Sequence, residues 1–526
     1  MPRPARHNYV FIYSLSIMGS SITKNLVAFL VLIVLAFLVG IMAADSAKSA
    51  ALIIFGIAGL AGVVAMGRHV WMLMFILVPI GQAVPVYQLP WYFVFIAVLL
   101  IYWCILAVVG HARFTWRKLT GADLFVFIFL AYMVVTIFRH PASSTIINNF
   151  LGIKTDLVTT GLEYPLTFAV LFFYIAYSCI PFENKNLLKI IHWGVILKLI
   201  LLFVTAIAGY NTQVEETNVN VFFNSWAGER VRFGMFTTFA TNLCVFVYAS
   251  APFRLILQSP GKLFLILLSV VLVVFSGYRN RLLRLGLIMI GVLAIKKEYI
   301  LIFTCFFTAA FSILFINQTN LIDSLPYTIQ RTLAGVPGVK VDSRIKNETS
   351  GSNEWRYVMW RWALDPRTNY IRDYVWGDGC TMNVREHART YRAAARGTYD
   401  VKSQENQAFI RAWHSGFIAT IQELGIVGLC LTFIGHIYGF VMTIRIGTAL
   451  RESPYLKYFL VYTCAFLQNI ITFYILPAST QNFLINLAYF SFLKVFYHIG
   501  MDNGYITSHQ HKGRYTPLLI KEEAEA

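Results

Sequence analysis

Charge is scarce in this sequence: 13% of its 526 residues are Asp, Glu, Lys or Arg, whereas 58% are hydrophobic. A soluble globular domain usually contains about 25% charged and about 45–50% apolar residues. The apolar residues are concentrated in long runs, such as residues 26–43 and 263–275. Water would solvate such runs poorly, so they predict membrane-spanning helices and exclude a soluble nucleic-acid-binding protein.

Several motifs that carry cofactor or metal chemistry are also missing. Of seven cysteines, only Cys380 lies in a long polar segment, and no Cys-x-x-Cys or Cys/His spacing indicates a metal centre. The sequence has no phosphate-binding Gly-x-x-x-x-Gly-Lys-Ser/Thr loop, no Asp-x-Asp pair and no evident pair of catalytic carboxylates. We therefore predict an activity without a cofactor, a metal ion or ATP.

The apolar runs predict an all-α fold, namely a polytopic transmembrane helical bundle. Each run approaches the roughly 20 residues needed to cross about 30 Å of hydrocarbon, and together they give about 12–14 spans. The runs are residues 25–44, 49–67, 70–86, 91–110, 122–138, 161–180, 187–209, 233–252, 262–277, 282–295, 299–316, 416–443, 457–476 and 480–498.

The distribution of Lys and Arg predicts the orientation of the bundle. With the N-terminus inside, nineteen of these cations lie in predicted cytoplasmic segments and eight in short outer segments. Retention of Lys and Arg on the cytoplasmic side is the general rule for membrane proteins. The net charge of +18 is therefore explained mainly by topology, and we expect both termini to be cytoplasmic and the protein to bind membrane lipids but no nucleic acid.

One long polar segment, residues 317–413, separates two of the runs and falls on the outer side. Its tryptophans, among them Trp355, Trp360, Trp362 and Trp376, argue against disorder, and we expect a helix near Asn353–Leu364 and folding against the membrane surface. The predicted organisation is a cytoplasmic segment 1–24, transmembrane helices 25–209, transmembrane helices with outer arginines 210–316, the large loop 317–413, transmembrane helices 414–499 and a cytoplasmic tail 500–526.

Five outer cations crowd the ends of two spans: Arg230, Arg232, Arg279, Arg281 and Arg284. A single interfacial Arg often only extends its head group into water. Five together, beside a basic loop, favour a function, because the guanidinium fork matches phosphate oxygens in two-point contact. We predict an outward-facing pocket for a lipid-linked phosphate or diphosphate.

His414 lies where the loop meets the next span, in Trp-His-Ser-Gly, shortly before Gln422-Glu-Leu-Gly-Ile-Val-Gly. The positive end of a helix dipole disfavours the imidazolium, which leaves a ring nitrogen able to accept a proton near pH 7. The alternative is an interfacial histidine that only hydrogen-bonds the loop.

These motifs resemble, in order and in topology, those of the bacterial O-antigen ligase and polymerase superfamily. The segment from His414 to Gly428 is similar to its His-Asn-x-x-Leu…Glu-x-Gly-x-x-Gly signature, with Ser415 in place of Asn. Arg230-Val-Arg-Phe-Gly-Met-Phe resembles its Arg-x-x-Gly-x-Phe helix entry, and Ser276-Gly-Tyr-Arg resembles its Ser-x-Ser-Arg turn. Trp355-Arg-x-x-x-Trp360 followed by Trp376-Gly-Asp-Gly is similar to the loop's Arg-x-x-x-Trp…Gly-x-Gly run. The resemblance covers roughly residues 210–440, and Tyr278 and Arg281 depart from the usual Ser and Gly.

The resemblance implies a metal-independent, inverting glycosyltransferase of the bacterial inner membrane whose active site faces the periplasm. The donor would be a glycan on undecaprenyl diphosphate, and the acceptor a glycan or a lipid-linked sugar. His414 would be the catalytic base. The residues implied to bind the diphosphate are Arg232 and Arg279, then Arg356 and Arg361, with Arg230 and Arg281 in reserve.

Three activities remain open from the sequence. We favour a surface-polysaccharide polymerase, because the number of predicted spans is large. An O-antigen ligase that attaches the glycan to lipid A-core or to protein is the alternative. A flippase for lipid-linked oligosaccharide is less favoured, because few ionisable residues, chiefly Lys198 and Lys494, lie within the predicted spans.

Overall fold

The computed structural model describes the chain from residue 65 to residue 506 with gaps. The described residues are 65–83, 91–141, 163–179, 187–214, 234–274, 279–319, 321–325, 329–330, 333–334, 336, 338–381, 413, 415–475 and 480–506.

The described residues are helical and contain no β-strand. The main helices are α1 (Met74–Ala83), α2 (Trp91–Val108), α3 (Thr120–Arg139), α4 (Glu163–Cys179), α5 (Leu187–Val214), α6 (Gly234–Ala249), α7 (Pro260–Val274), α8 (Arg279–Lys296), α9 (Tyr299–Gln318), α10 (Ser343–Leu364), α11 (Gly416–Ala449), α12 (Leu456–Ile475) and α13 (Thr480–Asp502). Short helical turns occupy Gly67–Leu73, Phe253–Leu257, Leu321–Ser324 and Pro366–Thr368.

The helical bundle expected from the apolar runs is confirmed. Each run from residue 70 onward coincides with a helix, whereas run 25–44 and most of run 49–67 lie outside the described residues. Within the described residues, five helices are long and apolar enough to cross a membrane: α3, residues 187–207 of α5, α9, α11 and α13. The chain is therefore an integral membrane protein.

The loop helix differs from its prediction, because α10 begins at Ser343, ten residues before the expected start. The earlier turns are polar, and the buried side chain of Ile345 anchors them.

The chain divides into two compact units. The first comprises residues 1–74 and 101–113, and its described part includes the last turns of α2. This helix ends in a turn at Gly110, where the amides of His111 and Ala112 both donate to the carbonyl of Leu106. The second unit contains all other residues, including the whole of α3–α13.

Helix α13 is at the centre of the second unit. It packs against α4, α11 and α12, and nearly all of its side chains from Phe483 to Phe496 are buried. Aromatic rings fill these contacts, for example Tyr438 of α11 stacked on Phe490 at 5.8 Å and Tyr462 of α12 against Phe492 at 4.8 Å. By contrast α9 buries none of its apolar side chains, as expected for a helix at the lipid-facing surface.

Contacts between helix ends define two ends of the second unit. The end of α3 meets the start of α4, where the Tyr164 hydroxyl donates to the carbonyl of His140 over 2.7 Å. The polar segment between α9 and α11 also contacts this end of α3. We call this end of the second unit the loop end. At the opposite end, the start of α3 meets the ends of α4 and α13.

A buried ion pair joins three helices at the opposite end. Lys494 of α13 donates to Asp123 of α3 over 2.6 Å and to the hydroxyl of Ser178 of α4 over 2.8 Å. The Tyr174 hydroxyl also donates to Asp123, over 2.5 Å, and the Trp116 ring lies 4.3 Å from the Lys494 Nζ. The charge of Lys494 is thus balanced within the bundle and fixes three helices to one another.

Candidate functional site

Helix α11 is folded into a hairpin at Gly425. This residue has φ 68° and ψ −174°, which is outside the helical region. The start of the helix lies against Phe473, since a Cβ on Gly416 would be 2.6 Å from the Phe473 carbonyl oxygen. Phe433 also reaches this end of α12, with its ring 6.3 Å from that of Tyr474.

A straight helix would separate Gly416 from Phe433 by about 25 Å, so it could not place both against the same turn of α12. A Cβ on Gly428 would be only 2.1 Å from the Leu424 Cβ, which also requires a sharp reversal. Residues 416–424 and 426–449 therefore form the two halves of a helical hairpin whose tip is Gly425. The span expected over 416–443 is thus helical but interrupted at Gly425.

A segment of the loop, residues 373–379, crosses the tip of this hairpin, and we call it the strap. The amides of Ile426 and Val427 donate to the strap carbonyls of Tyr374 and Val375, over 2.8 and 3.2 Å. In the other direction, the amides of Asp378 and Gly379 donate to the carbonyls of Gln422 and Glu423, over 2.6 and 3.0 Å. The strap thereby satisfies backbone groups that the break in the helix leaves without helical partners.

Two glycines permit this close approach. Gly377 has φ 79°, and a Cβ there would be 2.5 Å from the backbone of Glu423. A Cβ on Gly425 would be 2.2 Å from the Val375 carbonyl oxygen. The Gly-x-Gly of the loop and the Glu-x-Gly of the span, noted separately in the sequence, are therefore two sides of one contact.

Helix α3 anchors the strap at the loop end. Arg139 pairs with Asp373 over 2.8 Å and donates to the carbonyl of Trp376 over 3.2 Å. The Tyr132 hydroxyl donates to the Leu424 carbonyl over 2.5 Å. The backbone N–H of Trp376, together with that of Val375 and the Arg139 guanidinium, holds the pKa of the Asp373 carboxyl below its usual value.

The predicted base His414 lies outside the described residues, but both of its neighbours are placed. Ser415 is the N-cap of α11 and is buried, so the helix does begin directly after the predicted position. The buried indole of Trp413 donates to Gln422 Oε1 over 2.6 Å. The carbonyl of Trp413 accepts from the indole N–H of Trp360 on α10 over 2.9 Å.

The two predicted arginines of the loop lie on different faces of α10. Met359, Trp360 and Ala363 of α10 pack around Trp413. Arg356 is half-buried and lies one or two turns before them, on the same face of the helix. Arg361 is exposed. Burial lowers the pKa of the Arg356 guanidinium, a sign that its charge is poorly solvated. The structure thus brings Arg356, and not Arg361, to the side of α10 that faces the start of α11.

Helix α8 carries further arginines in its first two turns. It begins at Arg279, whose side chain lies outside the described residues, as do Arg230 and Arg232. Arg281 and Arg284 are three positions apart on one face, and both are half-buried. The Nε of Arg284 is buried and hydrogen-bonds no atom of the described residues. This helix packs against α11, with Ile295 only 3.0 Å from a Cβ built on Gly447.

Arg284 was counted among the outer cations but not assigned to the site, and its burial makes it a stronger candidate than Arg361. Gln422, Arg139 and Asp373 were not recognised as site residues either. Their roles depend on pairing between distant segments, which the spacing within each segment does not reveal.

Neither a metal-ligand cluster in the described ranges nor a similar protein adds a residue to this site. Within the described ranges, no group of three His, Cys, Asp or Glu side chains is placed to hold a metal ion. No protein-family model matches the chain, and no curated protein matches it.

Proposed function

We propose that this protein is a membrane glycosyltransferase that acts as a surface-polysaccharide polymerase. It would transfer a glycan from undecaprenyl diphosphate to a hydroxyl of an acceptor sugar, on the periplasmic side of a bacterial inner membrane. Both termini would be cytoplasmic, as the distribution of Lys and Arg favours.

The observation that carries the proposal is the placement of half-buried guanidinium groups on two helices that pack against the hairpin. Arg356 is on α10, and Arg284, whose buried Nε hydrogen-bonds no atom of the described residues, is on α8. Partial burial of a cation is costly unless an anion offsets it. A diphosphate would supply that anion, and two-point contacts would hold it.

The chemistry requires few groups. His414 would take the proton from the acceptor hydroxyl as its oxygen attacks the anomeric carbon. The bond from that carbon to the diphosphate oxygen would break, and undecaprenyl diphosphate would leave with the bonding electrons. Attack from the face opposite the leaving group would invert the anomeric configuration.

Arg279, with Arg281 and Arg284 beside it and Arg232 from the preceding segment, would stabilise the charge that develops on the diphosphate. Arg356 would contact the same group from the loop side. Arg230 stays a reserve candidate, and Arg361 is the least favoured because it is exposed.

The reconstituted protein tests this proposal. Purified protein in lipid nanodiscs, without an ion gradient, receives an oligosaccharide on undecaprenyl diphosphate. We expect longer lipid-linked chains and one released undecaprenyl diphosphate for each new linkage. Chains of unchanged length that appear only on added lipid A-core would identify a ligase instead. Absence of any new glycosidic bond with either acceptor would contradict a transferase and leave translocation as the better account.

A further inference from the structure

Gln422 is a buried amide that no step of the proposed reaction uses. Its backbone carbonyl accepts from the strap amide of Asp378, and its side chain bonds two other segments of the loop. Oε1 accepts from Trp413, and Nε2 donates to the carbonyl of Tyr370 over 3.0 Å. Because an indole N–H can only donate, the contact with Trp413 also determines which end of the amide faces it.

Trp413 contacts side chains of the loop, of α10 and of the first half of α11. Its ring packs edge-on against Tyr370, with centroids 5.5 Å apart, and its side chain is buried with Met359 and Ile418. Its backbone carbonyl accepts a hydrogen bond from the indole N–H of Trp360. His414 follows this buried tryptophan in the chain and precedes Ser415, which occupies the N-cap position of α11.

We propose that Gln422 is a positioning residue that holds Trp413, and through it His414, at the start of the hairpin. The strap fixes Gln422 in turn, since it hydrogen-bonds the backbone on both sides of the tip. The loop and the membrane helices would then form one rigid support for the base. This inference rests on the proposed function, because it assigns the base to His414.

Two conservative substitutions separate positioning from catalysis. Gln422→Met keeps the volume and removes both side-chain hydrogen bonds, and Trp413→Phe keeps a ring in place and removes only the indole donor. Thr420→Val is the matched control. Thr420 is equally buried in the same half of the hairpin, and its hydroxyl has no hydrogen-bond partner among the described residues.

We expect kcat to fall about 10- to 100-fold in Gln422→Met and in Trp413→Phe, because a base displaced by about 1 Å loses that much rate. The KM for the undecaprenyl-diphosphate donor should stay within about twofold, since the arginines are untouched. The double variant should be no slower than the slower single variant, because both changes break one interaction. Thr420→Val should retain full kcat.

An unchanged kcat in Gln422→Met, a rise in KM alone, or losses that multiply in the double variant would each overturn the inference. Hydrogen exchange of the same proteins separates this failure from failure of the proposed function. Gln422→Met should speed exchange of amides 416–424 and leave 426–449 unchanged.

If the wild-type protein transfers no glycan, the proposed function fails, and the exchange result alone decides whether Gln422 holds this segment. Unchanged exchange at 416–424 would overturn the inference whatever the activity.

Discussion

The substitution Gly377→Ala measures how strongly the strap is bound to the hairpin. Gly377 has φ 79°, and an added Cβ would lie 2.5 Å from the Glu423 carbonyl carbon and oxygen and from the Gly425 nitrogen. These are backbone atoms and cannot rotate away, so the strap itself must move. Movement would weaken some or all of its four backbone hydrogen bonds with the hairpin.

The magnitude follows from two contributions. A side chain in the left-handed region costs about 1–2 kcal/mol. Each backbone hydrogen bond contributes about 0.5–1.5 kcal/mol net, so the loss of two or more adds about 1–3 kcal/mol or beyond. We expect Gly377→Ala to destabilise the protein by about 2–5 kcal/mol.

Gly338→Ala is the matched control for the first contribution. It lies in the same loop with φ 88°, and its nearest contact would be an ordinary 3.7 Å to Ile313. It should cost only about 1–2 kcal/mol. The assay is thermal unfolding in one detergent, together with hydrogen exchange of the Ile426 and Val427 amides. Equal melting temperatures for the two variants, with unchanged exchange, would refute the assignment of the strap.

Three further predictions concern separate parts of the molecule. Asp123→Asn should destabilise the bundle by about 3–5 kcal/mol, because it leaves Lys494 buried without its counter-ion. The double variant Asp123→Leu with Lys494→Met should cost much less, because no charge remains buried. Equal losses of melting temperature in the two proteins would contradict this prediction. Arg356→Gln should raise the KM for the donor roughly 10-fold, because it removes a charge-assisted contact, whereas Arg361→Gln should leave this KM unchanged. Transfer rates measured at varied donor concentration check both expectations. The backbone N–H of Trp376, with the Arg139 guanidinium and the Val375 N–H, lowers the pKa of Asp373. These contacts therefore stabilise the strap above the unfolded carboxyl value of about 3.9, and that stabilisation is lost as pH falls through the lower folded value. Protection of the strap-bound amides, corrected for intrinsic exchange, should therefore be constant from about pH 7 to pH 5, and a loss of protection within that range would contradict the assignment.

The helices could be predicted from the sequence because one signal, apolar length, dominates their formation. Lipid requires every backbone group to be paired within the element, so each run from residue 70 onward, where the structure describes the chain, becomes a helix near its expected bounds. Runs 299–316 and 480–498 became α9 and α13 although one is exposed and the other buried. Hydrophobicity alone did not distinguish these two environments.

The hairpin and the strap could not be predicted because each depends on a partner far away in the sequence. Gly425 lies in a run whose sequence predicts one continuous helix. Its break is stabilised by strap residues some fifty positions earlier and by the Tyr132 hydroxyl of α3. Similarly, Lys494 was noted as an intramembrane charge, but spacing within its own helix could not indicate Asp123 of α3 as its partner.

For the site, sequence patterns correctly placed the helix start after His414 and the arginines near the first turns of α8. They did not separate Arg356 from Arg361, because their difference in burial follows from how α10 packs around Trp413. The assignment of His414 as base stays a prediction.

Photo-crosslinking with an undecaprenyl-diphosphate analogue, which carries a diazirine next to the diphosphate, tests the central claim most directly. The account predicts labelling of the first turns of α8, of α10 around Arg356 and of the peptide that contains His414, with competition by unlabelled donor. Labelling confined to the opposite end of the bundle, around Lys494, or labelling that unlabelled donor does not reduce, would contradict it.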